Sequence, residues 1–189
     1  MVKRKKISCD IDGILNTYPQ CWLDYLAEKC GVRYQSVPEA KTRESKYRMF
    51  KDEYRNSDYK AHLPMIQHNR DVINRMACSG HDIVMVTSRP ILESSYPNLF
   101  KNTKQWLEDN GVNFCNFDYK DKNAKFLDKY EGVDFHIDDD PAYAGKVAEK
   151  GYKVFLLRND NWDFSQMSGS GNIIIINDLN EIFSYETIL

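Results

Sequence analysis

Two aspartates one residue apart, Asp10 and Asp12, stand ahead of Gly13 at the end of an apolar run that begins at Ile7. A second acidic group, Asp138-Asp139-Asp140-Pro141, follows Phe135-His136-Ile137, and Thr87-Ser88-Arg89-Pro90 follows Ile83-Val84-Met85-Val86. Carboxylates can attack an electrophile, move a proton or bind a cation, and a hydroxyl can hold an oxyanion. Unit charges ~4 Å apart repel by roughly 4 kcal/mol at an effective dielectric near 20, so gathering Asp10, Asp12 and Asp138 calls for a cation. The ligands on offer are oxygens, which suits a hard ion such as Mg²⁺ rather than zinc or copper. Each piece alone is weak. Asp-x-Asp-Gly occurs in acidic turns, Thr87 can simply cap a strand, and the aspartates before Pro141 can be a helix start favoured by the dipole. Their joint placement, each closing an apolar strand, is what chance explains poorly.

The elements that must position these residues read as follows. Strands are expected at Ile7–Ile11, Ile83–Thr87, Val112–Phe117, Phe135–Asp138, Lys153–Leu157 and Ile173–Ile176. Helical spacing of apolar residues covers about 65–79, 101–110, 122–130 and 142–150. Gly80, Gly111 and Gly151 each end one of these helices and lead directly into a strand. Helix–glycine–strand in series predicts an α/β architecture, a parallel sheet with helices on both faces. In such a sheet ligands bind at the carboxyl ends of the strands, where the polar residues above fall.

Residues 17–62 break the rhythm. They contain no convincing strand, helical patterns near Trp22–Cys30 and Ser45–Arg55, nine Lys/Arg and eight aromatics. The expectation is a small helical cap over 17–62, inserted into a core made of 1–16 and 63–189; helices packed on the sheet edge are the plainer alternative. The loop Ser168-Gly169-Ser170-Gly171 lacks the strand and helix of a nucleotide fingerprint and reads as a turn.

Composition narrows the field. A net charge of −2 over 189 residues gives no global field for nucleic acid or anionic membrane. The longest aliphatic run, Ile173–Ile176, is far short of the roughly 20 residues that cross a bilayer. Five cysteines without a Cys-x-x-Cys pair argue against a disulfide framework or zinc knuckle and for a reducing cytoplasm.

The motifs from Ser8 to Leu157 resemble the haloacid-dehalogenase-like phosphohydrolase superfamily. Asp10-Ile11-Asp12-Gly13-Ile14-Leu15, Thr87-Ser88-Arg89-Pro90, Thr103-Lys104-Gln105-Trp106-Leu107 and Ile137-Asp138-Asp139-Asp140-Pro141 are most similar to its 5′(3′)-deoxyribonucleotidases. That resemblance implies a Rossmann-like three-layer fold with the cap after the first strand. It also implies a Mg²⁺-dependent phosphomonoesterase working through an aspartyl-phosphate on a small-molecule ester, a (deoxy)nucleoside monophosphate by subfamily. Asp10 would be the nucleophile and Asp12 the general acid and base. Thr87, Ser88 and a lysine would bind phosphate; Lys122 fits best, ahead of Lys125 and Lys120, and spacing leaves the three open. Asp10, Asp138 and the Asp12 main-chain carbonyl would hold the metal, with Asp139 orienting the lysine. In the cap, Tyr18 is either a stacking platform or a core aromatic. Arg89 is either a substrate contact or an exposed strand cap, and Trp106 and His136 read as structural.

Other readings remain. A 3′-phosphatase for nucleic-acid ends or a phosphatase for another small metabolite shares the motifs. A non-catalytic phospho-acceptor domain would reverse their order, with the acidic pair first and a lone acceptor later.

Overall fold

Strands β1 (Lys6–Asp10), β2 (Asp82–Thr87), β3 (Asn116–Tyr119), β4 (Val133–Asp138), β5 (Lys153–Leu157) and β6 (Ile173–Ile176) pair side by side in the order β3-β2-β1-β4-β5-β6. Every pairing is parallel. The computed structural model describes residues 3–130, 132–160, 162, 164 and 171–185. Of the loop Ser168-Gly169-Ser170-Gly171, residues 168–170 lie outside them.

Alternation along the strands sorts side chains onto two faces. Ile7, Cys9, Ile83, Met85, Phe135, Ile137 and Phe155 join one buried cluster, which α5 (Gln67–Cys78) and α6 (Leu99–Asp109) cover with Ile73, Met76, Trp106 and Leu107. Val84, Val86, Val154 and Leu156 face the other way, against Phe126 and Leu127 of α7 (Phe126–Lys129) and Ala144 and Val147 of α8 (Pro141–Glu149). Burying a large aliphatic side chain contributes ~1.5–3 kcal/mol, so these two clusters hold the three layers together. On the second face, β1 and β4 interrupt the apolar surface with Ser8, Asp10, His136 and Asp138, all buried.

Four helices, α1 (Gln20–Cys30), α2 (Val37–Arg43), α3 (Tyr47–Asn56) and α4 (Asp58–Ala61), lie between β1 and α5. Trp22, Tyr25, Leu26, Phe50 and Tyr54 give them a cluster of their own. Among the described residues no helix is long and apolar enough to cross a membrane.

Two expectations need correction. The third strand is Asn116–Tyr119, not Val112–Phe117. Val112 and Phe114 are apolar because they fill the first cluster beneath the sheet edge, and the ladder begins only at the Cys115 N–H to Ile83 O bond of 2.9 Å. The helix expected over 122–130 is a single turn, Phe126–Lys129. The Asp121 carboxylate accepts from the Asn123 N–H at 2.8 Å and Ala124 takes φ +55°, a turn that cannot extend into a helix.

Candidate active site

The strand order 3-2-1-4-5-6 changes direction between β1 and β4, and at such a switch the flanking loops part and leave a crevice at the carboxyl ends. Asp10 ends β1 and Asp138 ends β4 on the two sides of it. Between them lies Lys120, the residue directly after β3, whose N–H continues the ladder to Thr87 O at 2.8 Å. Its Nζ donates to Asp10 Oδ2 at 2.8 Å and to Asp138 Oδ2 at 2.7 Å, and it sits 4.3 Å above the Tyr143 ring.

Asp138 is the most fully satisfied of the acids. Besides Lys120, His136 Nε2 stands 2.8 Å from its Oδ2, and the Asp139 and Asp140 N–H groups donate to its Oδ1 at 2.9 and 3.0 Å. Burial lowers the His136 pKa. The neutral ring therefore donates from Nε2 and accepts the Ser8 hydroxyl at Nδ1, 2.9 Å away. Burial works against ionising Asp138, but Lys120 and His136 outweigh it and hold the carboxyl below its usual range.

Asp10 and Asp139 are less well served. Asp10 Oδ1 is buried and has no hydrogen-bond partner among the described residues. Burial, followed by the charges of Asp138 and Asp139, drives the Asp10 pKa well up despite Lys120. Asp139 Oδ2 accepts from Asn159 Nδ2 at 2.9 Å and Trp162 Nε1 at 3.2 Å. Burial and the Asp138 charge push its pKa up to about 7. One ligand oxygen from each of Asp10, Asp138 and Asp139 lies within 4.8 Å of the others. A single ammonium among three buried carboxylates leaves excess negative charge, and the unpartnered oxygen belongs to that group. An oxygen-binding divalent cation fits this donor set. Gly13 lets Asp139 close on the β1 turn: its φ is +84°, and a Cβ there would overlap the Asp139 carboxylate.

Asp12 faces elsewhere. Arg89 forks it, with Nη2 to Oδ1 at 2.6 Å and Nε to Oδ2 at 2.9 Å. Asn16 Nδ2 donates to Oδ1 at 2.9 Å, and Lys60 Nζ lies 3.9 Å from Oδ2. Burial opposes ionisation, but Arg89 and Lys60 hold the Asp12 pKa well below the usual carboxylate range. Arg89 also donates from Nη1 to Thr103 Oγ1 at 3.1 Å. Thr87 is fully buried and its Oγ1 accepts the Arg89 N–H at 3.1 Å; Ser88 is exposed. Beside Asp12 a cavity of about 110 Å³ opens toward Lys51, Arg55 and Lys60 of the helical segment.

Several expected placements change. Lys122 and Lys125 are exposed, and the lysine among the acids is Lys120, because the shorter β3 ends just before it. Asp138, not Asp139, bonds that lysine. Arg89 is buried rather than exposed, and Tyr18 is half-buried and lines the cavity beside Asp12. Trp106 is a core residue, its Nε1 donating to Leu63 O at 2.8 Å. Lys51 and Lys60 had no signal of their own in a segment rich in surface-type lysines, whereas Trp22 and Tyr54, the rings that bury them, are visible at helical spacing in the sequence.

No protein-family model and no curated protein sequence matches the chain. Solved structures do. A Thermotoga maritima protein assigned as a β-phosphoglucomutase superposes with a TM-score of 0.63 at 15% identity, over 95% of this chain and 97% of the other. A dehalogenase gives 0.62 at 11% identity over 96% of each chain. The D,D-heptose 1,7-bisphosphate phosphatase from B. bronchiseptica, complexed with magnesium and phosphate, gives 0.57 at 14% identity over 95% and 96%. The six-stranded parallel sheet, its strand order and its flanking helices are the haloacid-dehalogenase-like fold.

Proposed function

We propose that the protein is a Mg²⁺-dependent phosphomonoesterase in which Asp10 takes the phosphoryl group of a small-molecule ester. The observation that carries this reading is the unpartnered Asp10 Oδ1, buried beside Lys120, Asp138 and Asp139. That oxygen attacks phosphorus in line; the bond to the leaving oxygen breaks as the aspartyl-phosphate forms. Asp12 protonates the leaving oxygen, then takes a proton from the water that hydrolyses the aspartyl-phosphate. As the ionised partner of Arg89, Asp12 already has the form the water step needs. For the first step it must gain a proton, which Arg89 and Lys60 disfavour. Lys120 and Thr87 stabilise the charge on the phosphoryl oxygens. Asp10, Asp138 and the Asp12 main-chain carbonyl, with Asp139 near, would hold Mg²⁺, which when bound lets a carboxylate approach a phosphate dianion.

For the substrate we favour a (deoxy)nucleoside monophosphate. The support is a cavity of about 810 Å³ with Tyr18, Tyr47 and Tyr96 among its walls, faces on which a base can stack. A phosphorylated sugar is the second reading, favoured by the names of the structural neighbours. The five cysteines are free thiols, in keeping with a reducing cytoplasm. The test is phosphate release by purified protein with Mg²⁺ across nucleotides and sugar phosphates. Asp10→Asn should abolish release while the fold persists, and near-normal turnover by that variant rejects the assignment.

A further inference from the structure

The small cavity beside Asp12 gathers more basic side chains than the phosphoryl-transfer step uses. Lys51, Arg55, Lys60 and Arg89 face it against a single carboxylate, Asp12. Arg89 already forks that carboxylate. Arg55 is partly matched by Asp52, 3.6 Å away on the same helix, and Lys60 by Asp12 at 3.9 Å, which leaves the amino group of Lys51. Lys51 Nζ is the extreme case, buried with no hydrogen-bond partner among the described residues. It rests 4.1 Å from the centre of the Trp22 ring and 4.9 Å from that of Tyr18. Aromatic faces attract a cation but accept none of its three donors in the way an oxygen does. Burial, with Lys60 and Arg55 nearby, lowers its pKa to about 6. A methionine would fill the same space without desolvating an amine, so the lysine weakens the fold where it stands.

Position says what the charge is for. Neither Asp10, Thr87 nor Lys120 lines this cavity, whereas Asp12 does. It therefore lies on the side of the leaving oxygen, not where the transferred phosphoryl group sits. Lys51 and Arg55 also line the cavity of about 810 Å³, together with the exposed Arg48, so the path continues outward with room for a carbon skeleton.

We propose that Lys51, Arg55 and Lys60 form a subsite for a second phosphate on the leaving portion of the substrate, so that the preferred ester is a bisphosphorylated small molecule. The proposal rests on the assignment of Asp10 as acceptor and Asp12 at the leaving oxygen. It keeps the nucleoside and sugar skeletons of the proposed function and replaces the monophosphate with a bisphosphate, since either skeleton can carry two phosphates.

The test uses the full chain with Mg²⁺ and esters matched in skeleton. Fructose 1,6-bisphosphate is compared with fructose 6-phosphate, and adenosine 3′,5′-bisphosphate with adenosine 5′-monophosphate. In one pair the bisphosphate should show kcat/KM at least about tenfold higher, and that pair identifies the skeleton. Lys51→Met should bring the ratio toward one. Ratios within about threefold in both pairs overturn the subsite. Calorimetric binding to the Asp10→Asn protein separates the two claims. There the bisphosphate should bind at least about tenfold tighter than its partner, and Lys51→Met should erase the difference. If that difference stands while the wild-type chain hydrolyses none of the esters, the acceptor assignment falls and the subsite holds. Equal binding of the paired ligands, or binding of neither bisphosphate, overturns the subsite whatever the turnover.

Discussion

Replacing Lys120 with methionine removes the ammonium that touches both Asp10 and Asp138, at 2.8 and 2.7 Å. All three residues are at most 4% exposed, so water cannot take its place. Deleting one partner of a buried ion pair costs ~3–5 kcal/mol, and carboxylates ~4 Å apart repel by roughly 4 kcal/mol at an effective dielectric near 20. These two amounts do not add, because Asp10, already pushed toward its neutral form, takes up a proton and limits the loss. The expected destabilisation is ~3–5 kcal/mol at pH 8 with a chelator present. The sign with pH follows. Without Lys120 the acids titrate above their unfolded value of about 4, so the folded state holds more protons and stability falls as pH rises from there. The deficit should therefore shrink toward pH 5, and excess Mg²⁺ should recover part of it at pH 8. Urea unfolding followed by tryptophan fluorescence reads all of this. Lys122→Met, at an exposed position, serves as the control and should stay within about 0.5 kcal/mol of wild type. A loss below about 1 kcal/mol for Lys120→Met, or equal losses for the two variants, refutes the placement of Lys120 among the acids.

Gly13→Ala meets a left-handed backbone, which costs ~1–2 kcal/mol, and an overlap with the Asp139 carboxylate. A destabilisation of about 2 kcal/mol or more is expected, with loss of phosphate release; a neutral effect in urea unfolding would mean that the turn and Asp139 are not in contact. In metal-free protein the raised Asp139 pKa contributes stability that is complete below about pH 4 and lost as pH rises through about 7. Asp139→Asn should flatten that part of the stability–pH curve, and an unchanged slope counts against the assignment.

Short apolar runs made β1, β2, β4, β5 and β6 readable, and the glycines at 80, 111 and 151 made the parallel crossovers readable. β3 was displaced because Val112 and Phe114 are apolar for a different reason, packing under the sheet edge rather than pairing along it. That slip carried the lysine with it. Once the strand is known to pair Tyr119 with Thr87, the residue after it reaches the crevice and Lys122 does not. Asp10 and Asp138 were legible as neighbours because strand ends in a parallel sheet converge, whereas Asp139, expected to orient the lysine, lies with the acids instead. The environment of Asp12 was not, since Arg89 lies 77 positions away in the chain and nothing local forecasts the fork. Lys51 and Lys60 were hidden by composition: a lysine-rich helix normally means a wet face, and here aromatic rings cover two of the amines.

Lys120 also gives the buried acids a counter-charge that belongs to the chain itself. Many clusters of acids would spring apart until an ion arrived, and such proteins stay unfolded in its absence. Here the ammonium is part of the polypeptide, so Asp10 and Asp138 are held together by a group the chain carries with it.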